Sequence, residues 1–198
     1  LVITLSREFG SGGREIGQRV AEALGLRFFD KEIIDLTAAK SGFTPEYIKA
    51  HEQRLANTLL FSLYGQNYAY VGEQQPPLDA LFVVQSKIIR DIAEKESCVI
   101  VGRCANFVLK DAPGCFNVFI HASTEFRKAR YLKEFGGSDA DAEKQLRAIN
   151  HDRDNYCRHF TGHERGHADY YDLTLDSSHF GIEGSVQLIL DAVRRRQA

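Results

Sequence analysis

The segment Arg7-Glu8-Phe9-Gly10-Ser11-Gly12-Gly13-Arg14-Glu15-Ile16-Gly17 carries the residue types that anion chemistry needs. Glycines at 10, 12 and 13 let a backbone wrap closely around phosphate oxygens, where a Cβ would obstruct the approach and restrict φ. A strand before this segment and a helix after it would aim its amides at a bound anion. The spacing departs from the pattern G-x-x-x-x-G-K-[ST]. With Gly13 as the last loop glycine, Glu8 stands in place of the first glycine, Arg14 in place of the lysine and Glu15 in place of the magnesium-binding hydroxyl. Gly10, Ser11, Gly12, Gly13, Arg14 and Glu15 are therefore the expected phosphate-binding residues. The Arg14 fork suits bidentate contact with β- and γ-phosphates, and Glu15 is placed to hold Mg2+ through water. The competing reading is a tight strand-to-helix turn with no ligand. A dinucleotide fingerprint fits less well, because the spacing is not G-x-G-x-x-G and Asp30 comes too early for the ribose-binding acid.

The elements that must position these residues are legible from apolar patterning. Val2 to Leu5 reads as a strand, and Ile16, Val20, Ala21 and Leu24 recur at helical spacing until Gly25. A short strand over Leu26 to Phe29 leads into Asp30, which is placed to cap a helix through Ile33, Ile34 and Leu36. Thr44 and Pro45 open another helix towards Leu55. Asn57 to Pro77 carries one charge, Glu73, and four aromatics, and reads as a loop or insertion whose Tyr64, Tyr68 and Tyr70 either pack or stack on a base. Leu78 to Ala93 is helical. It feeds a continuous apolar strand, Cys98 to Val101, then Gly102-Arg103. Further strands are expected at Phe116 to Ile120 and Tyr171 to Leu175. Ser123 caps one helix, a long charged helix runs from about Ser138 to Arg158, and a final helix spans Gly184 to about Arg195. Strands alternating with helices imply crossover connections, and hence a parallel sheet covered on both faces.

Composition narrows the function classes. The chain has 198 residues, 43% of them hydrophobic and 26% charged, with a formal net charge of -2. That is enough for one sizeable core, and one domain over 1–198 is expected. Without bulk basicity no nucleic-acid partner is expected, so an anion site must be local. Cys98, Cys104, Cys115 and Cys157 form no C-x-x-C pair, which suits reduced thiols in the cytosol. No apolar run approaches the roughly 20 residues of a membrane helix, so no membrane partner is expected. Oligomeric state is not legible.

The loop, in the form S-R-x-x-G-S-G-G-R-E-I-G, resembles that of the cytidylate kinase-like family. Cys98-Val99-Ile100-Val101-Gly102-Arg103 is similar to the strand and Gly-Arg turn at that family's acceptor site, with Asp111-Ala112-Pro113 continuing in register. His151-Asp152-Arg153-Asp154-Asn155-Tyr156-Cys157-Arg158 resembles its arginine-rich lid helix, and Asp172 to Ser178 its closing strand. The resemblance spans essentially the whole chain. It implies a three-layer α/β P-loop kinase fold with a helical acceptor-binding insertion at about 30–78 and a lid at about 138–169. It also implies ATP, Mg2+ and a nucleoside monophosphate acceptor, CMP or dCMP first. This chain has Arg14 and Glu15 where authentic cytidylate kinases have Lys and Ser/Thr, Cys104 where they have Asp after Gly-Arg, and Asn155 near their lid acid. A kinase of another small acceptor and a nucleotide-sensing module therefore stay open.

Phosphoryl transfer needs in-line positioning and positive charge around the migrating group. Arg14, Arg103, Arg153 and Arg158 are the candidates to supply it. Arg103 follows a buried strand, at the sheet end where ligands bind. Arg153 and Arg158, five apart on a predicted helix, point about 140° apart and would flank the group from two sides; the competing reading is a solvated face paired with Asp152 and Asp154. Asp30, Lys31, Arg103 and Asn155 are the expected acceptor contacts, with capping the alternative for Asp30 and plain surface charge for Lys31. His159, His163 and His167 near Cys157 bring a zinc site to mind, but Gly162 and Gly166 interrupt the helix there and favour a polar lid.

Overall fold

The computed structural model describes residues 1–41, 44–46 and 77–197. The helix expected from Thr44 towards Leu55, the segment 57–76 with Tyr64, Tyr68 and Tyr70, and so most of the expected acceptor-binding insertion lie outside the described residues.

Five strands form one parallel sheet in the order β2-β3-β1-β4-β5: β1 Val2–Arg7, β2 Arg27–Phe29, β3 Cys98–Val101, β4 Cys115–His121 and β5 Leu173–Asp176. The central strand β1 pairs Val2 with Cys98 on one side and with Cys115 on the other. Alternate strand residues sort to opposite faces, as the two-residue pleat requires. Ile3, Leu5, Val99, Val101, Val118 and Ile120 pack with helices α1 (Gly13–Leu24) and α7 (Ser177–Gln197). Val2, Cys98, Ile100 and Cys115 pack on the other face with α2 (Glu32–Ser41), α3 (Pro77–Lys95) and α4 (Ala105–Val108). This three-layer α/β architecture is the one expected, and each strand falls within two residues of its expected limits.

The helix boundaries differ in places. Pro77 opens α3 instead of closing a loop, as a proline can in a helix's first turn. The final helix starts at Ser177 and is interrupted at Gly181, with φ 64°. The turn α4 was not expected, since four residues carry no periodicity. Two helices remain to close the site. Helix α5 (Thr124–Phe135) is capped by Ser123, whose Oγ accepts from the Phe126 amide at 3.2 Å. Helix α6 (Asp139–Thr161) begins with a reciprocal capping box between Ser138 and Asp141 and stops at Gly162 in the left-handed region. Among the described residues no helix is long and apolar enough to cross a membrane.

Candidate active site

Three strands deliver charged residues to one end of the sheet: Arg7 ends β1, Asp30 follows β2, and Arg103 follows β3 through Gly102. These carboxyl ends are where open α/β sheets bind ligands. Helix α6 lies across them and presents Gln145, Ile149, Asp152, Arg153 and Tyr156 at helical spacing, and the chain beyond it returns with Arg165 and Tyr171. Together they enclose a cleft of about 650 Å³.

The cleft is dominated by guanidinium groups. Arg7, Arg103, Arg153 and Arg165 all line it, against the carboxylates of Asp30 and Asp152. Arg153 Nη1 and Arg165 Nη1 both donate to the Arg7 carbonyl, at 3.2 and 2.7 Å. Arg165 also binds Asp154 through Nε at 2.8 Å, and Arg103 Nη1 donates to the Asp30 carbonyl at 3.3 Å. Burial, then repulsion from Arg7 and Arg165, pulls the Arg153 proton affinity well down. Burial pushes the Asp152 carboxyl up, so the one acid that α6 contributes is held more weakly in its charged form. The balance is a cleft built for an anion.

Helix α6 is tied down on both sides. Phe160 stacks on Phe82 of α3 with centroids 4.2 Å apart, and Tyr156 donates to Gln85 Oε1 at 3.1 Å. On the loop side the Phe9 amide donates to Asn150 Oδ1 at 2.8 Å, and Arg153 sits 5.5 Å over the Phe9 ring.

The glycine loop lies beside the cleft; Ser6, Arg7 and Phe9 line its wall, and residues 10–15 do not. Gly10 and Gly12 have φ of 83° and 78°, and among the described residues their amides and that of Ser11 find no protein acceptor. Three free amides at the head of α1 fit a phosphate group. Two expected roles change. Arg14 Nε is held by Asp30 Oδ2 at 2.6 Å, which draws its half-exposed side chain away from the loop amides, and the same bond makes Asp30 a cleft-wall residue instead of a helix cap. Glu15 is held by Arg130 at 2.8 Å and Arg19 at 2.7 Å, which lowers its proton affinity and occupies both carboxylate oxygens. Glu8 likewise accepts from the Ala122 amide at 3.1 Å and faces Arg127. Both glutamates thus fasten α5 to the loop. The residues present do not fit a protein-built magnesium site: Glu15 is engaged, and among the described residues no three His, Cys, Asp or Glu side chains group to hold a metal.

Of the other expected residues, Arg103 and Arg153 reach the cleft. Arg158 points outward near Glu164 at 3.7 Å, Lys31 is exposed, and Asn155 is buried away from the cleft wall. The helix turn separates Arg158 from Arg153, so only one of the pair flanks the site. Arg7 and Arg165 were missed. Arg7 heads the loop segment, ahead of the glycines expected to bind phosphate, and Arg165 falls in a glycine-broken stretch with no periodicity to place it.

The chain belongs to the cytidylate kinase-like family. The family model, described as "Cytidylate kinase-like family", matches residues 2–179. A cytidylate kinase from Archaeoglobus fulgidus is 30% identical over 193 residues, covering 96% of this chain and 93% of that protein. Among solved structures, an uncharacterized protein from Eubacterium ventriosum superposes with a TM-score of 0.73 at 21% identity, covering 98% of each chain. A gluconokinase from Sinorhizobium meliloti gives 0.55 at 17% identity, covering 98% of this chain and 91% of its own. This cytidylate kinase-like protein is accordingly a P-loop kinase in fold and an enzyme of the nucleotide-kinase type.

Two features of the site give direct tests. Ser177 Oγ, fully buried, lies 2.6 Å from the Ser11 carbonyl and 3.1 Å from the His121 carbonyl, tying the loop to α7. Ser177→Ala removes the donor and is expected to cost about 1–3 kcal/mol, read as a lower urea midpoint; an unchanged midpoint would count against this tie.

The Cys104 and Cys157 thiols both line the cleft wall and shift each other's proton affinity. The neighbouring Cys104 thiol, with Thr161, lowers Cys157 to about 7 against the opposing effect of burial, whereas Cys157 and burial push Cys104 well up. Burial also raises Cys98 to about 12 and Cys115 to about 11. Since the thiolate is the nucleophile, iodoacetamide is expected to label Cys157 first, at a rate that rises up to about pH 7 and then levels. Peptide mapping checks this; labelling that keeps rising to pH 9, or falls first on another cysteine, would contradict it.

Proposed function

We propose that this protein transfers the γ-phosphoryl group of ATP to a nucleoside monophosphate, with CMP or dCMP as the first acceptor to test. The observation that carries the reading is the convergence of Arg103, Arg153 and Arg165 with Arg7 in one cleft at the strand ends, beside a loop whose amides at 10–12 are free for phosphate. Transfer between phosphates asks a protein mainly for position and charge. In this reading the loop amides cradle the donor phosphates, while Arg103 on the β3 turn and the lid arginines grip the acceptor phosphate. With α6 and Arg165 packed down, water is kept from the migrating group, which suppresses hydrolysis of the donor. Magnesium, when it accompanies the nucleotide, neutralises phosphate charge. All four cysteines are free thiols, which supports a reducing, cytosolic setting.

Membership in the family and the 30% identical cytidylate kinase support CMP over other acceptors. Cys104, in the cleft wall where authentic cytidylate kinases carry an aspartate, favours a second reading, a kinase of a different small acceptor. A pocket missing a polar partner for an aminopyrimidine loses discrimination. Measuring ADP release from magnesium-ATP over a panel of ribo- and deoxyribonucleoside monophosphates, beside a no-acceptor control, decides between them. Stimulation by CMP or dCMP is expected. If no monophosphate stimulates release while ATP binds, the nucleoside monophosphate assignment is lost.

A further inference from the structure

Four guanidiniums line the cleft, and three have evident partners. Arg153 and Arg165 donate to the Arg7 carbonyl, and Arg103 donates to the Asp30 carbonyl. The Arg7 side chain is different. Among the described residues its guanidinium makes no hydrogen bond and no ion pair within the protein, although it is partly buried in the cleft wall. Asp30 attracts it from a distance, while Arg103, Arg165 and Arg14 repel it. Burial and that repulsion lower its proton affinity to about 10, which still leaves it charged at neutral pH.

An unpaired cation among other cations is costly, and such arrangements persist where a ligand completes them. The path of the side chain says which ligand. Its stem crosses the start of α1, where a Cβ on Gly13 would lie 2.6 Å from Arg7 Cβ. Its head reaches the β3 turn, where a Cβ on Gly102 would lie 2.5 Å from Arg7 Nη1. Arg7 therefore spans the gap between the glycine loop and the turn that carries Arg103. The residue expected to supply the loop's cation, Arg14, is committed to Asp30 at 2.6 Å.

We propose that Arg7 is the phosphate ligand that stands in for the lysine this loop lacks, gripping the phosphoryl group as it passes from the loop to the acceptor. The inference rests on the phosphoryl-transfer reading above. In that step the bond from phosphorus to the ADP oxygen breaks as the bond from the acceptor oxygen to phosphorus forms. Arg7 keeps its proton throughout and contributes charge alone.

The test compares thermal unfolding of the wild-type chain with R7Q, R7K and R14Q, each with and without inorganic pyrophosphate, and follows ADP release in the same proteins. Pyrophosphate is expected to raise the wild-type Tm. R7Q is expected to lose most of that shift, R7K to keep at least half of it, and R14Q to keep nearly all. Removing a repelled cation is also expected to raise the ligand-free Tm of R7Q by about 2–4 °C, where a residue kept for packing would lower it. In turnover, kcat falls at least 100-fold in R7Q and less than 10-fold in R14Q. A full pyrophosphate shift in R7Q, no shift in the wild type, or an R7K as silent as R7Q would each overturn the assignment. If the wild type releases no ADP with any acceptor, the kinase reading fails by itself, and the pyrophosphate arm still decides whether Arg7 holds phosphate.

Discussion

Arg165→Ala is expected to lower kcat/KM by about 10²–10³-fold, the scale seen when one preorganised donor to developing charge is removed. The side chain is only 10% exposed and reaches three places at once: Asp154 on α6, the Arg7 carbonyl at the head of the loop, and the Asn150 carbonyl at 3.4 Å. Truncation removes a cation from the cleft wall and unfastens the returning chain from β1. The groups left behind are not stranded. Asp154 is 43% exposed and can be hydrated, and the Arg7 carbonyl still accepts from Arg153. Activity should therefore fall far more than stability does. Arg165→Lys should recover little, since a point charge cannot fork between a carboxylate and a carbonyl. Steady-state ADP release together with urea unfolding reads both effects. A loss below tenfold, or a loss matched by unfolding at the assay temperature, would remove Arg165 from the site.

Gly102→Ala is the second large effect, and it acts through a neighbour. Gly102 has φ 80°, a conformation that costs an alanine about 1–2 kcal/mol. Its added methyl would also fall 2.5 Å from Arg7 Nη1. The far end of an arginine can swing aside, so the clash is relieved by displacing the guanidinium and not by unfolding the turn. A shift of about 1 Å in a positioned group can cost on the order of 10²-fold in rate. The variant is expected to lose about that much kcat with only a modest drop in its urea midpoint. Retained activity would mean that the Arg7 head has no fixed place in the reaction.

Much of this arrangement is legible in the sequence because parallel strands covered on both faces have little choice of residue. Cys98 to Val101 is completely buried and continuously apolar, so its position and its Gly-Arg exit could be read directly. The start of α6 near Ser138 was legible in the same way, while its end was expected at about Arg158, three residues short of Thr161. What could not be read is which charges meet. Asp30, sixteen positions after Arg14, captures it only because β2 lies two strands from β1 in the sheet, a matter of strand order that no local pattern records. Glu15 is diverted by Arg130 from the distant helix α5. Arg165 comes after the helix has ended, where neither a period of 3.6 nor a period of two applies. Arg7 was visible as the first residue of the loop segment but was given no role there; its one local cue is a cation set immediately before a glycine-rich turn.

The placement of β1 at the centre of the sheet also governs how the chain must come together. Its partners begin 96 and 113 residues further along, at Cys98 and Cys115. At about 5–20 residues per second of synthesis, β1 waits roughly 6–23 s for its second neighbour. During that interval an apolar strand with both edges open is available to any other nascent chain, and contacts so distant in sequence form slowly even once both halves exist. The arrangement that gathers the cleft's arginines from the far reaches of the chain thus makes the newborn protein dependent on protection, and raises the risk of misassembly most where expression is fastest.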